Sequence, residues 1–163
     1  MTTTDYVPIA QRLDFDALVP GFARAVNDLD EAATAEADRA GIDPALRELL
    51  RLRASQLNGC SYCVDMHSRA ARKKGTAAQR VDAIAIWRDS NLFTADERAA
   101  LEFTEQVTLV ASSRVPEDCV QAVVKAYGEE GAAALLSLVV AINTWNTIGV
   151  TARCWPVAVR TRD

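Results

Sequence analysis

The sequence predicts an all-α fold, a compact bundle of about six or seven helices, on three observations. Apolar residues recur at three- and four-residue spacing in one segment after another, the mark of amphipathic helices. No stretch keeps the strict apolar–polar alternation of a half-buried strand. Glycine and proline are few, 7 and 5 in 163 residues, and they fall between the periodic segments, where they act as stop and start signals.

Residues 1–13 carry no clear period and read as an extended arm. Pro20-Gly21 opens a first helix, about 21–38, whose apolar face would hold Phe22, Ala25, Val26, Leu29, Ala32 and Ala33, with Gly41 as its stop. Asp43 is placed to cap a second helix, with Pro44 at its first position. That helix runs to about Leu57, with Leu46, Leu49, Leu50 and Leu57 on the apolar side and Arg47, Arg51 and Arg53 on other faces. Asn58-Gly59 breaks it. A third helix follows, from Cys60 or Ser61 to Lys73; Lys73 and Lys74 suit the negative end of its dipole, and Gly75 caps it. Thr76 is the expected cap of a fourth helix, about 77–88. Thr94-Ala95-Asp96-Glu97 has capping-box spacing for a fifth, reaching about Ser112 and turning Ala100, Leu101, Phe103, Thr104, Val107 and Val110 inward. Pro116 starts a sixth, ending near Tyr127-Gly128. The seventh, about 129–148, is apolar on most of its surface and is expected to lie in the core or in a subunit interface.

A chain of 163 residues reads as one domain, 1–163, with the second and third helices forming a pair over 44–75. Half the residues are hydrophobic and 25% are charged, as in an ordinary soluble protein. The net charge of −4, with both signs spread along the chain, gives no reason to expect nucleic acid or an anionic membrane as partner. No basic segment followed by an apolar run opens the sequence, and the longest apolar run, Ala132 to Ile142, is interrupted by Ser137 and too short for a bilayer. The expected location is the cytoplasm, where structural disulfides are rare and a C-x-x-C pair is more often catalytic or metal-binding.

The chemistry-bearing stretch is Asn58-Gly59-Cys60-Ser61-Tyr62-Cys63-Val64-Asp65-Met66-His67, which holds two of the four cysteines and the one histidine. On a helix turning about 100° per residue, Cys60, Cys63 and His67 share an arc of about 60°, with Tyr62 and Met66 on other faces. Three readings fit that spacing. The pair can be a redox dithiol, its thiolate favoured by a helix N-terminus, with His67 as the proton acceptor. It can contribute two thiolates and an imidazole to zinc, although tetrahedral zinc takes a fourth ligand and Cys119 and Cys154 have no paired spacing. Or all three can be satisfied core residues. A thioredoxin-like context needs a βαβ unit, and this chain offers no strands. By spacing alone Glu48 reads as a solvated helix charge. Trp87, Trp145 and Trp155 read as core or interface residues, and Cys119 and Cys154 as buried thiols.

Leu46-Arg47-Glu48 and the run Arg51 to His67 resemble the alkylhydroperoxidase D (AhpD)-like core of the carboxymuconolactone decarboxylase superfamily. Its pattern E-x(11)-C-x-x-C-x-x-x-H is met by Glu48, Cys60, Cys63 and His67. Ala70-Ala71-Arg72-Lys73-Lys74-Gly75 and Ile142-Asn143-Thr144-Trp145-Asn146 are similar to the family as well. The resemblance implies a helical fold assembled as trimers, or as hexamers built from dimers. It also implies a thiol peroxidase in which Cys63 attacks a hydroperoxide, Cys60 resolves the sulfenic acid as a disulfide, and His67 and Glu48 relay the proton. No bound cofactor or metal is implied; an external dithiol reduces the disulfide, in related proteins a lipoylated carrier. The best-studied branch has a histidine between its cysteines where this chain has Tyr62, which leaves His67 as its one imidazole. A non-enzymatic redox sensor or scaffold, and a small-molecule decarboxylase or isomerase of the same superfamily, are the alternative readings. Decarboxylases of the superfamily generally lack the C-x-x-C.

Overall fold

The computed structural model describes residues 6–160, and among them the regular structure is helical throughout. Eight α-helices follow one another: α1 (Phe15–Leu18), α2 (Pro20–Arg39), α3 (Pro44–Asn58), α4 (Ser61–Lys73), α5 (Ala78–Ala83), α6 (Ala95–Thr108), α7 (Val110–Ser113) and α8 (Glu117–Ala152). A 3₁₀ helix, Ile84–Asp89, joins α5 to the loop before α6. The fourth predicted helix is thus α5 running into 3₁₀ geometry, with Ile86 off helical angles. The predicted sixth and seventh helices form α8, broken at Gly128, where φ of 73° departs from the helix as the glycine signal implied. The N-terminal arm lacks regular structure from residue 6 to 14, and residues 1–5 of the expected arm lie outside the described residues.

The capping signals act as written. The Asp43 carboxylate accepts from the Ala45 amide at 2.9 Å, with Pro44 opening α3. Gly59 ends α3 in the left-handed region at φ 73°. Thr94 and Glu97 exchange both bonds of a capping box. Thr76 departs from expectation: Ala77 is the cap residue of α5, no side chain caps it, and the Thr76 hydroxyl is buried without a partner among the described residues.

α3 is the central element, packed against α4, α6 and α8, so nearly every face of its first half is buried. Arg47 and Arg51, expected on faces other than the apolar one, are therefore buried too. Arg47 donates to the Ile42 carbonyl and to Asp38, and Arg51 donates to Asp30 at 3.1 Å and Thr34 at 2.8 Å. The inward face of α2 is correspondingly Val26, Ala33 and Ala37, while Phe22 and Leu29 are exposed. Small residues on that face let α2 approach α8 closely, and Asp30 and Thr34 on the same side meet Arg51. Under α6 a second buried carboxylate, Glu105, accepts from Arg53 Nε at 2.6 Å, from Trp87 Nε1 at 2.8 Å and from Arg88, tying α3, the 3₁₀ helix and α6 together. Val110, expected inward, is exposed because α6 ends at Thr108.

α8 is long and apolar enough to cross a bilayer by length and composition. Leu135, Leu138, Val139, Ala141 and Ile142 are instead buried in the bundle, where α8 packs on α2, α3 and α6. It is a core helix of a globular bundle.

Candidate active site

α4 begins with Cys60 as its cap residue, and the Cys60 sulfur accepts from the Cys63 amide at 3.4 Å. Cys63, His67 and Ala71, spaced four apart, form the buried stripe that α4 turns toward α3 and α8. The two thiols lie 2.6 Å apart, close enough to share a proton or to bond. Ala54 and Ile142 bury them, and Trp145 and Tyr62 pack against that cluster. Tyr62 and Met66, expected to point elsewhere, line the same cleft as Cys63 and His67. The cleft is wider than one helix face. Its volume is about 570 Å³, and its opposite wall is α2 with Trp145 and Trp155 at one end.

Glu48 is the clearest correction to the spacing-based reading. It is 4% exposed on α3 and accepts from His67 Nδ1 at 2.7 Å and from Lys74 Nζ at 2.5 Å, with Arg51 at 3.5 Å. Burial by itself would raise its pKa. The His67 and Lys74 hydrogen bonds, with Arg51 nearby, outweigh burial and hold the carboxyl at about 2. An ionised Glu48 only accepts, so Nδ1 of His67 carries a proton, and in the neutral ring the lone pair is then on Nε2. That Nε2 is buried and has no hydrogen-bond partner among the described residues. A neutral His67 in this arrangement can accept a proton in the cleft it shares with Cys63, its tautomer fixed by a carboxylate that Lys74 and Arg51 help keep charged.

The thiols do not ionise alike. The Cys63 S–H bonded to Cys60, together with the Cys63 amide and the Asn146 side chain, brings Cys60 down to about 7 against the pull of burial. The same S–H bond, reinforced by burial, pushes Cys63 well above the ordinary thiol range. The first proton belongs to the pair, and the resting charge sits on Cys60. Thiol alkylation by iodoacetamide is accordingly expected to quicken as pH rises through about 7 and to level off above it. A midpoint at the free-cysteine value of 9.0 would mean the pair shares no proton.

No group of three or more His, Cys, Asp and Glu side chains converges on a point that would hold a metal among the described residues.

The profile of the carboxymuconolactone decarboxylase family matches residues 20–106, more than half the chain. The chain belongs to that family. An uncharacterised protein of Bacillus subtilis, YdfG, is 33% identical over 142 residues, covering 87% of this chain and 94% of YdfG. YnjA of Escherichia coli, also uncharacterised, is 35% identical over 74 residues, covering 45% of this chain and 41% of YnjA. A crystal structure from Agrobacterium tumefaciens, ATU0492, a protein of unknown function provisionally described as antioxidant defence protein AhpD, superposes with a TM-score of 0.84 at 31% identity. That match covers 91% of this chain and all of ATU0492, so this member of the family has the AhpD-like fold. The debrominase Bmp8 shares the fold, with a TM-score of 0.74 at 20% identity over 87% of this chain and 74% of its own.

All four residues picked out by the family pattern, Glu48, Cys60, Cys63 and His67, are brought together. Four further participants were not assigned a role from the sequence. Arg51 and Lys74 hold Glu48 ionised. Asn146, fully buried, donates to Ser55 at 3.0 Å and accepts from Asn58 at 3.0 Å, and its amide favours the ionised form of either sulfur. Trp155 is tilted against Tyr62 at 5.8 Å, edge-on to Trp145 at 5.4 Å, and donates to Asp16 at 2.8 Å. Their signal was in the family-like runs at 70–75 and 142–146, which name Lys74 and Asn146 without giving them a role. Of the remaining thiols, Cys119 is buried and raised to about 11 by that burial, and Cys154 is only half-buried, contrary to expectation.

Proposed function

We propose that this chain is a hydroperoxide reductase working through the Cys60–Cys63 dithiol. The observation that carries the reading is His67: its Nδ1 is pinned by Glu48, its Nε2 has no partner among the described residues, and it lines one cleft with Cys63. Cys63 gives up its proton and its thiolate attacks one peroxide oxygen. The O–O bond breaks, the alcohol leaves with a proton, and Cys63 becomes a sulfenic acid. Cys60, 2.6 Å away, attacks that sulfur. Water leaves and the disulfide forms. An external dithiol, of the kind a lipoylated carrier presents, returns both electrons. His67 and Glu48 serve as the proton relay, with Glu48 a positioning residue.

The cycle suits the reducing cytoplasm. Assembly into a homo-oligomer, a trimer or hexamer, is part of the proposal. The exposed Val110, Leu136 and Val140 border a shallow apolar hollow of about 720 Å³ on the α6–α8 side that a second copy would cover.

The test is turnover. Purified protein with cumene hydroperoxide and excess dithiol should consume many equivalents of peroxide per site. Consumption that stops at one equivalent, with a disulfide left standing, would instead identify a redox sensor. Activity that survives alkylation of both cysteines would identify chemistry independent of the dithiol.

A further inference from the structure

Cys60 and Cys63 open into different clefts. Cys63 and His67 line the cleft described above, and Cys60 does not. Cys60 lines a second cleft of about 730 Å³, between the start of α4, the end of α8 and the two terminal arms, and Cys63 does not. Tyr62 and Trp155 border both and form the partition, with Trp155 held by Tyr62, Trp145 and Asp16.

We propose that the dithiol is served from two sides: the hydroperoxide reaches Cys63 through the His67 cleft, and an apolar dithiol reductant attacks Cys60 from the cleft under the arms. The proposal rests on the peroxidase reading and adds the reductant's site and character. Thiolate–disulfide exchange runs in line with the bond being broken, so the sulfur that is open to an incoming thiol is the one attacked. Cys60 lines the second cleft and Cys63 the first, so a thiol arriving in the second cleft meets Cys60. Attack on Cys60 therefore expels Cys63 on the side where His67 waits.

The second cleft is built for such a visitor. Its walls include Val7 and Ile9 of the N-terminal arm and Val157 and Val159 of the C-terminal segment, all exposed apolar side chains. Among the described residues that line it, the charged ones are Arg12 and Arg153, both cations, which favour an entering thiol as thiolate. The arms are fixed in place: the Arg12 and Leu13 amides donate to the Ala152 carbonyl at 2.9 and 3.0 Å, and Arg160 pairs with Asp65 at 3.2 Å. Gly149 leaves room beside the Cys60 sulfur. A Cβ there would stand 3.0 Å from Cys60 Sγ and 3.3 Å from the Trp155 ring.

The chemistry balances. One reductant thiolate bonds to Cys60 Sγ, the Cys60–Cys63 bond breaks, and Cys63 leaves as thiolate to be reprotonated. The second reductant thiol then attacks its partner sulfur in the mixed disulfide. Cys60 is released, and the reductant departs as a cyclic disulfide carrying the two-electron oxidation.

The two half-reactions separate the clefts. Reduced protein is oxidised with cumene hydroperoxide, and disulfide protein made independently with diamide is reduced with 1,4-butanedithiol or dithiothreitol. Val150→Trp, on the wall of the second cleft, should slow reduction about tenfold and leave oxidation within about twofold, while Ala23→Trp, on the wall of the first, should do the reverse. Butanedithiol should outpace the more polar dithiothreitol on wild type and lose that advantage in Val150→Trp. On unmodified disulfide protein, excess 1-butanethiol quenched with acid should leave its mixed disulfide on Cys60. Equal slowing of reduction by both variants, or a butanethiol adduct on Cys63, would overturn the proposal. If peroxide oxidises nothing, the peroxidase reading fails, and the diamide-made disulfide still decides the reductant's cleft.

Discussion

Cys63→Ser is expected to lose hydroperoxide reduction by about a thousandfold or more, because no other group in the cleft can become the sulfenic acid. Cys60→Ser is expected to behave differently. It should still react once with peroxide and then stop, since Cys63 has nothing to resolve it, and a sulfenic acid should be trappable by dimedone at residue 63. The contrast carries the argument, because the resting charge lies on Cys60. If charge alone chose the nucleophile, the serine variants would show the opposite pattern. The cleft geometry predicts that access and the His67 base decide, since the proton passes easily between sulfurs 2.6 Å apart. Peroxide consumption by Cys63→Ser at the wild-type rate would reverse the assignment of the two thiols.

The second large effect belongs to Glu48→Gln. Lys74 and Arg51 can only donate, and both meet Oε1, so the amide oxygen will take that position and the NH₂ group will face His67 Nδ1. Nδ1 then becomes the acceptor, the ring proton moves to Nε2, and the base beside Cys63 is lost. A wrong tautomer of this kind is expected to cost about 10²- to 10⁴-fold in the oxidation step. Stability falls as well. Glu48 is held at about 2 against an ordinary 4.5, worth about 3 kcal/mol at neutral pH. A depressed carboxylate contributes fully above its unfolded value and loses that contribution as pH falls toward its folded value. The gap in urea stability between wild type and Glu48→Gln should therefore be widest near pH 7 and narrow from pH 4.5 toward 2. A gap that stays constant across that window would mean the carboxylate is not the stabilising species.

Local signals carried most of the fold. Asp43-Pro44, the Thr94–Glu97 box, Gly59 and Gly128 each mark a boundary with their own backbone chemistry, and each stands where the sequence placed it. The errors came where tertiary packing decides. Phe22 and Leu29 look like the inward face of α2, yet the helix turns Ala33 and Ala37 inward. Polar Asp30 and Thr34 lie on that side because Arg51 of α3 must be satisfied there. Periodicity cannot register a buried charge whose partner is on another helix. The same limit applies at the site. Cys60, Cys63 and His67 are local and were found from spacing, whereas Glu48 needed the family pattern, being 19 residues from His67 and on a different helix. Trp155 lies beyond the last periodic segment, and its place between two clefts exists only once the C-terminal segment folds back over α4.

The most direct test counts thiols. The reduced chain has four cysteines, and one equivalent of hydroperoxide under denaturing quench should leave two titratable thiols, with peptide mapping returning a Cys60–Cys63 disulfide. Retention of all four thiols while peroxide disappears, or a loss that maps to Cys119 and Cys154, would contradict the account.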